Sequence, residues 1–289
     1  MAQFNFEAIG TAWQIDIYQK LSEKEEADTF SLIKNRIELF DKAYSRFRSD
    51  SLVTEMSKQS GTFVLPDDAE LMFALYHDLY LRTNGFFTPL VGDLLSDAGY
   101  DAHYSLQQKK ELQIPPTWDE VLDYKHPNLL IKKSTMLDFG AAGKGYLVDL
   151  VAEVLEKNGI LKYCINAGGD ILHKDETLIR VGLENPDNTA QIIGVFTLGD
   201  GSICGSAGNR RAWGDFNHII NPKTLTSPKE IIAVWVFART AVLADALATC
   251  LFFVEAHTLI DAYDFEYLIL HKDHSIEKSD DFTGEIFTA

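Results

Sequence analysis

Bases, cysteines and long apolar runs are all scarce in this chain, and each shortage closes off a class of function. Only 26 Lys and Arg stand against 43 Asp and Glu in 289 residues, a formal net charge of −17. Nucleic-acid binding needs clustered bases that neutralise phosphates, so no nucleic-acid partner is expected. The same acidity argues against docking on an anionic membrane. No uncharged run reaches the ~20 residues that span a bilayer, so no membrane partner is expected. The opening, M-A-Q-F-N-F-E-A, has no basic n-region, apolar h-region or cleavage site, which makes the cytoplasm the expected location. Cys164, Cys204 and Cys250 form an odd set without metal-ligand spacing. Two of them lie in apolar runs, Y-C-I-N and A-T-C-L-F-F, and read as buried free thiols suited to a reducing compartment. Repeats and low-complexity linkers are also missing. Residues 1–289 therefore read as one domain, built either as a single body or as two interleaved subdomains.

The apolar fraction, 46%, is that of a soluble globular protein with ample length for a sizeable core. Residues 4–18 alternate apolar and polar and predict a strand. Ala27, Phe30, Ile33, Ile37, Phe40, Ala43, Tyr44 and Phe47 fall at helical spacing, which predicts a long amphipathic helix over 24–47. Asp67 and Asp68 open a second helix that stops at Asn84-Gly85. The polar, proline-bearing region 96–128 reads as loops. A strand pair is expected over 129–138 and a helix from Gly145 to Asn158. Short strands are expected at 161–166, 170–173, 177–183, 191–198 and 231–238, a helix at 240–256, and a strand or two in 265–289. The mixture predicts an α+β fold with its sheet covered by helices.

A polyanion could be bound by so acidic a chain only locally, and four stretches offer the means. D-F-G-A-A-G-K-G-Y-L-V-D (138–149) follows an apolar segment and leads into a helix; small residues and one lysine there fit an anion site. It is neither a Walker A loop nor G-x-G-x-x-G, and a tight strand–helix turn with a solvated lysine fits it equally well. N-A-G-G-D-I (166–171) fits a two-residue hairpin turn, or a place where Gly168 and Gly169 let backbone approach a ligand. In A-R-T-A-V-L-A-D-A-L-A-T-C-L-F-F (238–253), Asp245 and Thr249 share one face of an apolar helix at i, i+4. Two hard oxygens there suit Mg²⁺; the alternative is an Asp paired with Thr249 or with Arg239. The stretch 204–228 carries a Gly/Ser-rich turn, two arginines and His218. A lone histidine is usually structural. Ser206 lacks the G-x-S-x-G elbow of a hydrolase nucleophile.

In this order the stretches resemble the FAD:protein FMN transferase family, often called ApbE, over nearly the whole chain. G-T-A-W (10–13) looks like its opening strand, and Y-S-R-F-R-S-D-S (44–51) like its S-R-F-x-x-x-S segment. G-F-F-T-P-L-V (85–91) is similar to G-x-F-D-x-T. L-D-F-G-A-A-G-K-G-Y-L-V-D is close to L-D-L-G-x-x-A-K-G-Y-x-x-D, and N-A-G-G-D-I to N-x-G-G-D-I. F-N-H-I-I-N-P-K-T resembles S-H-I-x-D-P-x-T, and T-A-V-L-A-D-A-L-A-T matches T-A-x-x-A-D-x-x-x-T.

The resemblance implies a T-fold-related architecture of mixed sheets covered by helices, with a flavin site in a central cleft. It implies an enzyme that takes FAD as substrate, needs Mg²⁺, and moves FMN onto a Ser or Thr of a target flavoprotein bearing a D-x-x-[ST]-G-A-T-like acceptor. The alternatives are a Mg²⁺-dependent FAD pyrophosphatase giving FMN and AMP, or a non-catalytic FAD-binding protein. By motif position, the carbonyl of Ala141 joins Asp245 and Thr249 on the metal. Asp138, Lys144, Thr88, Gly168, Gly169, Ser206 and Ile219 fall at the flavin nucleotide, and His218 stands at the reacting hydroxyl as a base. Departures from the family pattern are Phe87 for Asp, G-S-A-G-N at 205–209, Asn221 for Asp, Leu225 for Gly and Ile9 for Met.

Overall fold

A computed structural model describes residues 2–287. Among these residues the largest sheet has eight strands, here β1 (Ala2–Ala8), β2 (Thr11–Ile17), β3 (Tyr163–Ala167), β4 (Asp170–Lys174), β5 (Gly201–Ala207), β6 (Ile231–Ala238), β7 (Phe265–His271) and β8 (Ile276–Lys278). They lie side by side in chain order. Every neighbouring pair is antiparallel. The sheet is thus a meander whose connections have been expanded into the rest of the fold. The longest insertion, between β2 and β3, holds α1 (Glu23–Tyr44), α2 (Ala69–Arg82), a three-stranded sheet (Gly61–Val64, Leu122–Lys125 and Asn128–Ile131) and α3 (Gly143–Lys157). A hairpin of Ile179–Glu184 with Ile192–Leu198 lies between β4 and β5, and α4 (Ala241–Cys250) between β6 and β7.

Strand alternation assigns the two faces of this sheet. Cys204, Val234 and Val236 point to the main core, where α3 and α4 lie. Their neighbours Ile203, Trp235 and Phe237 point the other way, onto a smaller core with Leu183, Phe196 and Leu198 of the 179–198 hairpin. The helices sit where their apolar stripes predict. Ile33, Ile37, Phe40, Ala43 and Tyr44 of α1 are buried, and Ser22 with Glu25 closes a capping box at its start. The α2 helix starts after Asp68, whose carboxylate is drawn away from the cap to Arg36 and Tyr44.

Several boundaries differ from the sequence expectation. Residues 4–18 form a hairpin rather than one strand, turning at Ile9 (φ 46°) and Gly10 (φ 75°). The pair expected over 129–138 is Leu122–Lys125 with Asn128–Ile131. Residues 136–139 are not a strand: Met136 N donates to Asp93 and Asp138 N to the Pro89 carbonyl, so the segment is tied to loops instead of a neighbour strand. The helix expected over 240–256 is regular only to Cys250. The Gly/Ser-rich turn at 204–207 is the end of β5, paired with β6. Small side chains there reflect a crowded surface, since a Cβ on Gly205 would sit 3.0 Å from Trp235.

Candidate functional site

A cleft of about 860 Å³ bends around the ends of β2, β3 and β5. On one side it meets the sheet face that carries Gln14, Asp16, Cys164 and Asn166; on the other it meets the N-terminal end of α3 and one face of α4. All eleven residues singled out from the sequence line it: Ala141, Asp245 and Thr249; Asp138, Lys144 and Thr88; Gly168, Gly169, Ser206 and Ile219; and His218. They come from stretches up to 161 residues apart, Thr88 to Thr249.

The corner between α3 and α4 is built by close helix contact. A Cβ on Gly145 would sit 2.2 Å from the Ala241 carbonyl oxygen and 2.7 Å from the Asp245 Cβ, so only glycine fits. At that contact Gly145 N donates to Asp245 Oδ2 at 2.8 Å. Thr249 Oγ1 donates to the Ala141 carbonyl at 3.3 Å. The pairing of Asp245 with Thr249 or Arg239 that the sequence left open is not what forms. Asp149, one turn along α3, accepts from Ala241 N at 2.9 Å and Val242 N at 2.8 Å and so caps α4 from outside. Burial pushes the Asp149 carboxyl up to about 6, against the pull of those two donors.

Asp245 is only 5% exposed. Burial raises its pKa, and Lys144, the Gly145 N–H and Arg211 offset this only in part. A buried carboxylate short of positive charge, beside a free carbonyl lone pair and a hydroxyl, fits a hard divalent cation. Among the described residues no group of three His, Cys, Asp or Glu gathers in one place. A hard ion that keeps most of its shell as water and phosphate oxygen needs no such group.

Two charged residues that the sequence reading quoted but gave no role stand behind the cleft wall, paired with Lys144 and Asp138. Lys144 is half-buried and ion-paired with Asp170, the acid of N-A-G-G-D-I, which is fully buried. Asp170 Oδ1 has no hydrogen-bond partner, so Lys144 is what offsets its charge. Arg46, from S-R-F-R-S, is buried, ion-paired with Asp138, and donates from Nη1 to the Tyr100 carbonyl at 2.7 Å. Its guanidinium lies 4.2 Å from the Phe47 ring centroid. The other oxygen of Asp138 accepts from Gly140 N at 2.7 Å, which shapes the small-residue loop. For Asp170 the signal was a lone charge inside a run of small and apolar residues; Arg46, with Arg48 and Asp50 close by, gave none.

The Gly168-Gly169 pair is the predicted two-residue turn between β3 and β4, and it lines the cleft. Gly168 has φ 65°, and a Cβ there would strike Thr11 Oγ1. Thr88 accepts from Leu90 N at 3.2 Å, and Ile219 is buried with its N–H on Asn217. Cys164 is half-buried in the cleft wall instead of buried in the core, and burial with Asp16 nearby pushes its thiol up to about 11.

His218 Nδ1 lies 3.1 Å from the Arg210 carbonyl, an acceptor only, so Nδ1 carries the proton and Nε2 keeps its lone pair. Burial first, and Arg211 next, lower its pKa to about 4. The departures nearby are conformationally absorbed. Asn221 Oδ1 accepts from Lys223 N at 2.9 Å and Thr224 N at 3.1 Å, a turn that an Asp makes equally. Leu225 adopts φ 60°, the region glycine favours, and packs on the Leu94, Leu95, Tyr100 and Trp213 cluster. Phe87 is buried against Tyr76, with ring centroids 4.8 Å apart.

A sequence model described as the ApbE family matches residues 9–268. A protein of Rhodobacter capsulatus named FAD:protein FMN transferase is 27% identical over 190 residues, which cover 60% of this chain and 36% of that protein. One of the same name from Buchnera aphidicola is 24% identical over 264 residues, covering 82% of this chain and 75% of its own. The fold is that of the ApbE protein of Thermotoga maritima, with a TM-score of 0.83, 19% identity and 97% of each chain covered. With the cleft assembled from the family's motifs and the family match running through nearly all of it, this chain belongs to the ApbE family.

Proposed function

We propose that the protein is a Mg²⁺-dependent FAD:protein FMN transferase, which moves FMN from FAD to a Ser or Thr hydroxyl of a target flavoprotein. The relatives named above carry that activity in their names. The observation that carries the reading is the meeting, in one cleft, of an oxygen-only cation corner, a half-buried lysine and a neutral histidine.

In the transfer, the acceptor oxygen bonds to the FMN phosphorus, the pyrophosphate P–O bond breaks, and AMP leaves. His218 Nε2 takes the acceptor's proton, and its Nδ1–H stays on the Arg210 carbonyl, which holds the ring in place. Lys144, shared with Asp170, sets a positive charge beside the phosphates, and Arg46 with Asp138 holds the 138–142 loop open to them. The Ala141 carbonyl, Asp245 and Thr249 would hold the divalent ion. When bound, that ion supplies charge neutralisation at the pyrophosphate and the leaving group. The changes at 221 and 225 keep the turn geometry. Three free thiols support a reducing, cytoplasmic setting. Among the described residues no helix is long and apolar enough to cross a membrane.

The test is one incubation of protein, FAD and Mg²⁺, with and without a domain bearing D-x-x-T-G-A-T, read by mass spectrometry. The expected result is an FMN-sized mass gain on the acceptor threonine that Asp245→Ala loses. Equal labelling by the Asp245→Ala variant would remove the cation corner from the mechanism. FMN and AMP released without labelling would make the protein a pyrophosphatase.

A further inference from the structure

We propose that the free edge of the Ile179–Glu184 strand is the docking strip for the acceptor polypeptide, which adds to it as an extended strand and delivers its hydroxyl to His218. This inference rests on the transferase reading. In its three-stranded sheet that strand pairs on one side only, with Ile192–Leu198, among the described residues. Its other edge presents unpaired backbone N–H and C=O groups.

The cleft runs along that edge. Ile179, Arg180, Val181, Gly182 and Glu184 all line it. Successive side chains of a strand point to opposite faces, so odd and even residues meet one cavity only where the cavity follows the strand's edge. Gly182 sits mid-strand and exposed, and a Cβ there would meet Ile192 Cγ2 at 2.9 Å, so the glycine is set by the paired neighbour strand.

The strip leads to the reacting group through direct contacts. At its end Glu184 Oε1 accepts from Arg210 Nη2 at 2.6 Å. The carbonyl of the same Arg210 holds His218 Nδ1. Just beyond, Asn209 Nδ2 donates to the Pro186 carbonyl at 2.6 Å. A segment paired along the strand is therefore carried towards His218 in a fixed register.

The occupant follows from the chemistry of the edge. A row of alternating backbone donors and acceptors complements another extended backbone, with side chains free to vary. The charges along the strip are mostly paired: Arg180 at one end lies 3.5 Å from Glu285 and Arg210 2.6 Å from Glu184, while Arg211 has no carboxylate partner among the described residues. The segment that fits is an extended stretch of the acceptor protein, with its hydroxyl residue near the Glu184 end, where the contacts through Arg210 reach His218.

Strand addition has a periodic signature. Only alternate residues of the added chain turn their N–H to the partner. A set of synthetic peptides bearing D-x-x-T-G-A-T, each N-methylated at one backbone amide, would be assayed for FMN transfer. The expected result is a loss of roughly tenfold or more at every second position and little change between them. FAD affinity, followed by flavin fluorescence, should not depend on the peptide. Loss without alternation, or tolerance at every position, overturns the docking strip while leaving transfer intact. If the unmodified peptide takes no FMN at all, the transferase reading falls and the strip falls with it.

Discussion

His218 shows what its surroundings do to a single residue's chemistry. An ordinary histidine is half-protonated near neutrality, and half of such side chains are useless as bases. Burial and the neighbouring Arg211 lower this one to about 4, so it is neutral throughout the physiological range. The acidic limb of kcat/KM for FMN transfer should therefore have its midpoint near pH 4, with no inflection near 6.5. Removing a positive neighbour favours the imidazolium, so Arg211→Gln should move that limb to higher pH. A pH–rate profile of both proteins tests this; an unshifted limb would separate Arg211 from the base. Residue identities were the most legible layer of this protein. Asp245 was visible as an acid inside an apolar helix, and Lys144 as a cation among glycines and alanines. Asp170 and Arg46 were quoted without a role because their partners, Lys144 and Asp138, lie 26 and 92 residues away, a proximity that only the fold supplies.

Among elements, the corner of α3 and α4 carries the arrangement. Asp149 caps α4, and α4 in turn presents Asp245 and Thr249. The folded pKa of Asp149 is raised to about 6 by burial, above the ordinary carboxylate value of about 3.8. The folded state thus holds this proton more tightly than the unfolded chain. Its stabilising contribution is fully present below the unfolded pKa and is lost as pH rises through about 6. Against Asp149→Asn, which does not titrate, the wild-type protein should gain about 1 kcal/mol between pH 7 and pH 5. Urea unfolding of both proteins without metal measures the difference, and a gap that narrows or stays constant would place the carboxyl in ordinary solvent. Helices and strands with clear periodicity were readable in advance. Residues 4–18 were not read as a hairpin because Ile9 is an unusual occupant of a positive-φ turn position. The strand pair at 122–131 was missed because its apolar alternation runs through a polar region broken by Pro127.

For the whole molecule, charge and topology pull on the ligand in opposite ways. Connections of an antiparallel meander leave alternate ends of the sheet, and the cleft brings together Lys144 from the β2–β3 insertion and Arg211 from the β5–β6 connection in a chain whose net charge is −17. FAD is itself an anion. At a distance it meets the net charge and is repelled; inside the cleft it meets the local cations. Screening separates the two effects, because the Debye length falls from about 30 Å at 0.01 M salt to about 10 Å at 0.1 M. Long-range repulsion is removed by that change, while partly buried short-range pairs are screened much less. The association rate of FAD at constant Mg²⁺ should therefore rise with ionic strength, and the dissociation rate should change little. Stopped-flow quenching of flavin fluorescence gives both rates. An association rate that instead falls with salt would mean that the field at the cleft mouth is already positive, with the acidic surface turned away from the approach path.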